Sequence, residues 1–254
     1  MIVLKSPADL AAMRRAGRVA ALALQDVAHA VRPGITTREL DRIAESRIRQ
    51  LGAEPSFLGY RGYPASLCTS INDEVVHGLP GRRRLRDGDI VSLDLGAAVE
   101  GFHGDIALTV PVGRIEDDLA RLLRVTAESL EVGIRTIGPD VHLGDVGAAI
   151  QRFVEGHGFS VVRDFAGHGI GRSLHEEPQI PNFGRPGNGV VLRPGMTLAV
   201  EPMVNMGGSE VTMDPDGWTV RTRDHRPSAH FEHTVAVSDA GAEVLTRLPG
   251  NESV

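Results

Sequence analysis

The sequence predicts an α+β protein made of two fused halves, each supplying two helices and a few antiparallel strands, with the helices covering one face of a sheet. Two observations predict it. Helix and strand patterns recur along the 254 residues at a nearly constant offset, and acidic residues interrupt otherwise apolar strands at matching places in the two halves.

The first helix is expected from Ser6 as its cap, Pro7 in its first turn and Asp9 three residues after the cap. Leu10, Met13, Gly17, Ala20, Leu24 and Val27 then keep helical spacing until "RPG" at 32–34. A second helix starts near Thr37, places Leu40, Ile43, Ala44 and Ile48 on one face and ends at Gly52. "RVAALAL" at 18–24 is answered by "RVTAESL" at 124–130, an offset of 106 (124 − 18). "GITTREL" at 34–40 and "DVHLGDV" at 140–146 share that offset, as do "LG" at 51–52 and "HG" at 157–158. Each match is weak alone; the shared offset carries the repeat.

The strands follow the same rule. "DGDIVSLDLG" (87–96) and "RPGMTLAVEPMV" (193–204) are each a turn leading into an apolar run broken by one acid. In both, a glycine precedes the acid by six residues (94 − 88 and 201 − 195). "SLEVGIRTIGPD" carries a helix into a turn with no linker, so a single domain over 1–254 is expected, with halves of roughly 1–112 and 113–247. The tail "LPGNESV" is expected to fray.

Composition narrows the function classes. A net charge of −6 gives no global attraction to nucleic acid or anionic membrane. Cys68 is the only cysteine, which excludes an intrachain disulfide framework and thiolate-cluster metal sites and points to a reducing compartment. "MIVLKSPADLAAMRRAG" lacks a signal-peptide core, and no apolar run is long enough to cross a bilayer, so a cytoplasmic protein is expected. Lys5 is the only lysine, a bias that reads as genome base composition.

A charged residue inside an apolar strand is costly unless paired or metal-bound. Asp94 in "IVSLDLG", Asp105 in "GFHGDIALTV", Glu201 in "TLAVEPMV" and Glu232 in "HFEHTVAV" all break that rule. One such acid reads as an edge-strand carboxylate facing water. Four, two from each half, are expected to meet at a pseudo-two-fold axis. There they would raise one another's pKa unless cations were present, and two divalent ions sharing bridging carboxylates remove the conflict. His168, in "GHGIGRSLHEEP", adds a single nitrogen to this oxygen set. The mixture suits manganese, iron(II), cobalt or zinc in five- or six-coordination, and not a closed structural zinc site. The chemistry implied is metal-activated water attacking a carbonyl or phosphoryl centre.

The segments "SPADLAAMRRAG", "GYPASLCTSINDEVVHGLP", "DGDIVSLDLG", "GFHGD", "GHGIGRSLHEEP", "EPMVN" and "DGWTVRTRDHRPSAHFEHT" resemble, in order and over nearly the whole chain, the type I methionine aminopeptidases. The resemblance implies the pita-bread fold and removal of the initiator methionine from nascent chains when the second residue is small, after any formyl group has gone. It implies five ligands to two metal ions. Asp105 and Glu232 bridge, Asp94 holds one ion, and His168 and Glu201 hold the other. It further implies that Glu201 shuttles a proton, that His175 stabilises the developing oxyanion and that His77 contacts the peptide nitrogen or leaving group. The methionine pocket falls to Phe57, Tyr60, Tyr63, Cys68, Leu174 and Trp218, with Cys68 a wall and not a nucleophile.

Three positions depart from the family pattern: Leu174 stands where a larger aromatic is common, His230 where glutamine is usual and Ile106 where a small hydroxyl residue is common. Ile106 is expected to cost a supporting hydrogen bond, and His230 to alter protonation beside Glu232. His103 and His233 flank ligands and are expected to support them. His29, His142, His157 and His225 read as helix-surface or loop residues.

The partners implied are nascent polypeptide N-termini, with ribosome contact left open; a monomer is expected, with no specific nucleic acid and no membrane. Three rivals remain. A proline-directed peptidase of the same fold generally carries an added N-terminal domain, for which a helix starting at residue 6 leaves no room. A binding protein, favoured by "GRRRLRDG" at 81–88, has usually lost metal ligands, and that run lacks interleaved aromatics. A phosphoesterase needs cationic groups near the metals, and none is expected there.

Overall fold

Local sequence chemistry sets the four helices. In the computed structural model, which describes residues 1–248, α1 spans Pro7–Ala30 and α2 spans Thr37–Gln50. The expectation of a frayed tail concerns residues 249–254, outside the described residues. Both helices open with a reciprocal capping box. Asp9 N donates to Ser6 Oγ at 3.2 Å while Ser6 N donates to Asp9 Oδ2 at 3.0 Å, and Thr36 with Glu39 repeats the device. Helices α3 (Asp117–Thr136) and α4 (Leu143–Gly156) follow in the second half. α2 and α4 start and end 106 residues apart (143 − 37 and 156 − 50), as do the ends of α1 and α3 (136 − 30).

The strands in chain order are β1 (Glu54–Pro55), β2 (Cys68–Ile71), β3 (Glu74–Val76), β4 (Ile90–Val99), β5 (Phe102–Pro111), β6 (Ser160–Val161), β7 (Gly167–Gly169), β8 (Glu176–Ile180), β9 (Thr197–Val200), β10 (Met203–Asn205), β11 (Val211–Met213), β12 (Val220–Thr222), β13 (Ser228–His230), β14 (Glu232–Ser238) and β15 (Gly241–Val244). Nine form one antiparallel sheet with the path β1-β4-β5-β14-β9-β7-β8, β2 pairing with β4 and β15 with β14. Two three-stranded sheets, β13-β10-β6 and β11-β12-β3, flank it.

Each half buries its own core against the sheet. In the first, Leu24, Leu40 and Ile48 of the helices pack with Leu93, Leu95 and Ile106. In the second, Leu122, Leu130, Val146 and Ile150 pack with Leu198, Val200 and Val235. The turns before the two acid-bearing segments match as well, since Gly88 (φ +91°) and Gly195 (φ +90°) both take the left-handed conformation that glycine tolerates. One expectation needs correction: Glu201 is not inside a strand but follows β9, because Pro202 has no N–H to continue the ladder.

Close approach fixes where α1 lies. Gly17 faces Gly104 of β5, where an added Cβ on Gly104 would meet Gly17 N at 2.6 Å, and a Cβ on Gly17 would meet Leu245 O at 2.4 Å. Helix propensity alone favours Gly17→Ala by about 0.8–1.0 kcal/mol. The contact reverses that sign, so Gly17→Ala is expected to destabilise by about 1–3 kcal/mol. Thermal unfolding should then show a Tm lower by several degrees; an unchanged or raised Tm would contradict the close packing.

Candidate metal centre

Sheet register places the acids. Asp94 of β4 opposes Ala107 of β5, and Glu232 of β14 also pairs with Ala107. Asp105, two residues from Ala107, therefore shares their face. His233 opposes Val200, so Glu232 and Glu201 come opposite one another at the sheet's break, and His168 of β7 pairs with Ala199, two residues before Glu201. All five side chains thus project from the face away from the helices.

There they meet in a cluster with almost no solvent. Asp94, Asp105, Glu232 and His168 are 8%, 3%, 2% and 7% exposed. Ligand atoms of Asp105, His168 and Glu232 all lie within 4.8 Å of one another. His168 Nε2 is 3.6 Å from Glu201 Oε1 and 4.0 Å from Asp105 Oδ2. His168 Nδ1 lies 2.8 Å from Gly169 O. A carbonyl only accepts, so Nδ1 carries the proton and the Nε2 lone pair points at the acids.

Among the described residues no arginine or lysine pairs with any of these acids, and Asp94 Oδ1 and Glu232 Oε1 are buried without a hydrogen-bond partner. Burial first, and then mutual repulsion, pushes Asp94, Glu201 and Glu232 well above the carboxylate range. Burial pushes Asp105 up to about 7 against a hydrogen bond from Ile106 N. Buried, unpaired carboxyl oxygens facing an imidazole lone pair are the donor set that divalent ions satisfy, so these residues fit a metal.

Beside the acids a cavity of about 140 Å³ is lined by Phe57, Tyr60, Tyr63, Cys68, Leu174, Trp218, His77 and His175, together with Arg61 and the acid cluster. Every pocket residue named from the sequence therefore lines one cavity. Tyr63 holds it open, packing edge-on against Phe57 and Trp218 while its hydroxyl shares its one proton between Leu67 O at 3.1 Å and Gly78 O at 3.2 Å. Arg221 fastens the β11–β12 hairpin that carries Trp218, donating to Asp214 at 2.7 Å, Glu74 at 2.8 Å and Asp73 at 2.9 Å. Burial pushes the Cys68 thiol well above its ordinary range, leaving an inert wall.

The two remaining histidines stand at the mouth. His175 stacks on Tyr60 (5.2 Å) and lies 4.0 Å from the His168 ring. His77 adopts φ +60°, uncommon for a non-glycine residue, just after β3. Burial holds His77 at about 4, and burial with neighbouring His168 and Arg61 holds His175 at about 3, so both rings are neutral near pH 7.

Several supporting expectations are revised. His233 alternates with Glu232 and so faces the helices, its Nδ1 2.8 Å from Thr246 Oγ1. His103 instead meets Ser56 Oγ at 2.8 Å. Ile106 packs in the helix-side core, so no side chain there can serve the acids, and its backbone N–H reaches Asp105 Oδ1 at 3.1 Å. The support comes from residues to which the sequence assigned no role. Thr234 Oγ1 accepts from Asp105 N at 2.9 Å, and Asn182 Nδ2 donates to Glu201 O at 2.9 Å. His230 is 2% exposed, with Nε2 3.8 Å from Glu201 Oε2. His142 and His157 flank α4, and His29 and His225 are exposed.

An acid cluster of this kind beside an apolar cavity defines a metal-dependent hydrolase, and the chain belongs to metallopeptidase family M24, whose pattern matches residues 11–239. It is 51% identical over 248 residues to methionine aminopeptidase 1 of Bacillus subtilis, covering 98% of this chain and 100% of that one. Methionine aminopeptidase of Escherichia coli K12 is 48% identical over 247 residues, covering 96% and 94%. The crystal structure of methionine aminopeptidase from Thermotoga maritima superposes with a TM-score of 0.96 at 47% identity, covering 98% of this chain and 100% of that one. Within the family the chain therefore falls among the methionine aminopeptidases, with their pita-bread fold. Prolidase from Pyrococcus furiosus, at 22% identity and a TM-score of 0.76 over 97% of this chain and 66% of its own, shares that fold.

The raised carboxyl groups fix the sign of the pH dependence. Their folded pKa lies above the unfolded value, so stability from this source is lost as pH rises from about 4 through about 7, the value of Asp105. A divalent ion must expel those protons. Calorimetry at pH 7 in two buffers of unlike ionisation enthalpy should show net proton release on manganese binding, and affinity that tightens as pH rises; no release would contradict the protonated cluster.

Proposed function

We propose that this chain removes the N-terminal methionine from newly made polypeptides whose second residue is small. The observation that carries the reading is the acid and imidazole cluster at the side of an apolar cavity of about 140 Å³, room for one side chain and not for an extended ligand. Asp94, Asp105, His168, Glu201 and Glu232 would hold two divalent ions, with cobalt, manganese, iron(II) or zinc all suited to the donors. When bound, such ions supply Lewis-acid activation of water and of the peptide carbonyl.

The chain's own groups do the rest. Phe57, Tyr60, Tyr63, Cys68, Leu174 and Trp218 enclose the methionine side chain. Glu201 takes a proton from the attacking water and delivers it to the leaving amine, a role supported by its place beside His168 and at the edge of the cavity. His175, neutral and at the cavity mouth, donates to the oxygen that gains charge. His77, across the cavity, contacts the peptide nitrogen or the leaving group. We read the chain as one catalytic domain with halves of roughly 1–112 and 113–247, a division supported by the 106-residue helix offset. No helix among the described residues is long and apolar enough to cross a membrane; a substrate at the end of a newly made chain fits a monomer working in the cytoplasm, with ribosome contact left open.

The test is turnover of Met-Ala-Ser, Ala-Ala-Ser and an Xaa-Pro peptide by metal-stripped protein reloaded with cobalt or manganese. Methionine release from the first peptide alone is expected, falling by about 100-fold or more in His168→Ala. Cleavage of the Xaa-Pro peptide would move the chain to the proline-directed relatives, and no turnover with any ion would refute an enzymatic role.

A further inference from the structure

Lys5 is the one lysine among 27 lysine and arginine residues. Base composition accounts for the arginines but not for the lysine that persists. Its side chain is 4% exposed, and Nζ lies 2.5 Å from Glu176 Oε2 and donates to Val3 O at 3.1 Å. The Lys5 backbone N–H donates to Gly195 O at 2.7 Å, anchoring the segment before α1 to the turn before β9.

Glu176 is a consequential partner. It opens β8 directly after His175, and its backbone pairs with Gly169, directly after His168. Its other oxygen, Oε1, accepts from Ser173 N at 3.2 Å. The ion pair therefore ties the segment before α1 to the hairpin whose two arms carry the two imidazoles. The His175 ring itself is held by stacking on Tyr60 and not by a hydrogen bond among the described residues. Space around the pair is scarce. A Cβ on Gly171 would lie 2.4 Å from Lys5 Cε and 2.6 Å from Glu176 Oε1, so the ammonium packs against bare backbone. A compact ammonium fits that slot, whereas a planar guanidinium needs a wider fork of acceptors.

We propose that Lys5 is a positioning residue for His175, its buried ammonium fixing Glu176 and, through it, the ring at the cavity mouth. The proposal rests on the reading of His175 as the oxyanion donor. It also explains why arginine does not replace this lysine.

The test compares wild type, Lys5→Met, Lys5→Arg, His175→Ala and the Lys5→Met/His175→Ala double variant, all loaded with manganese. Three quantities are read: kcat and KM for Met-Ala-Ser, manganese affinity by calorimetry, and Tm. Lys5→Met is expected to lower kcat by about ten- to a hundredfold while KM and manganese affinity hold. Lys5→Arg should not restore it, and Lys5→Met should add nothing once His175 is alanine. Glu176→Gln carries the same comparison if Lys5→Met does not fold. Equal losses in both backgrounds, rescue by arginine, or a loss confined to Tm or manganese affinity would overturn the positioning role. An impaired His175→Ala beside an unimpaired Lys5→Met would overturn it while leaving the His175 reading intact. Full kcat in His175→Ala would sink that reading and this one together.

Discussion

Four carboxyl groups gathered on one sheet face, none paired with a lysine or arginine among the described residues, are the constraint on which the rest of the structure depends. Each is costly to bury, and together they repel, so their pKa values stand above the ordinary carboxylate range. Nothing in the hydrophobic core asks for them. The sheet tolerates the cost because two separate cores, one per half, hold its other face tightly against the helices. Stability is thus assembled on one side of the sheet and made available for chemistry on the other.

The antiparallel register makes that division possible. Successive residues alternate between faces, so Glu232 points to the acids while His233, its neighbour, joins Thr246 on the helix side. The same alternation sends Asp105 to the site and Ile106 to the core. Pro202 releases the chain just after Glu201, and Asn182 then holds the freed Glu201 carbonyl. Small residues complete the arrangement: Gly17 and Gly104 let α1 press onto β5 beside Asp105, and Gly171 leaves room for the Lys5–Glu176 pair beside His175.

Much of this is legible in the sequence, and the reasons are physical. The first two helices announce themselves through Ser6 with Asp9 and Thr36 with Glu39, local pairs that act within four residues. The acids stand out because a charge in an apolar strand breaks a strong rule. Pairings that close over long separations leave no such trace. Thr234 on Asp105, Asn182 on Glu201 and Lys5 on Glu176 are ordinary residues until the fold brings them 129, 19 and 171 positions back together. The facing of His233 and Ile106 was readable from the period of two, since each adjoins an acid already assigned to the opposite face. The two flanking three-stranded sheets, built from strands of two or three residues, are too short to carry a period.

The central claim is that these five side chains form one metal centre. Anomalous diffraction from crystals grown with manganese tests it most directly. Two peaks about 3.5–4 Å apart, both in contact with Asp105 and Glu232, are the expected result. Peaks elsewhere, or none at this cluster, would contradict it.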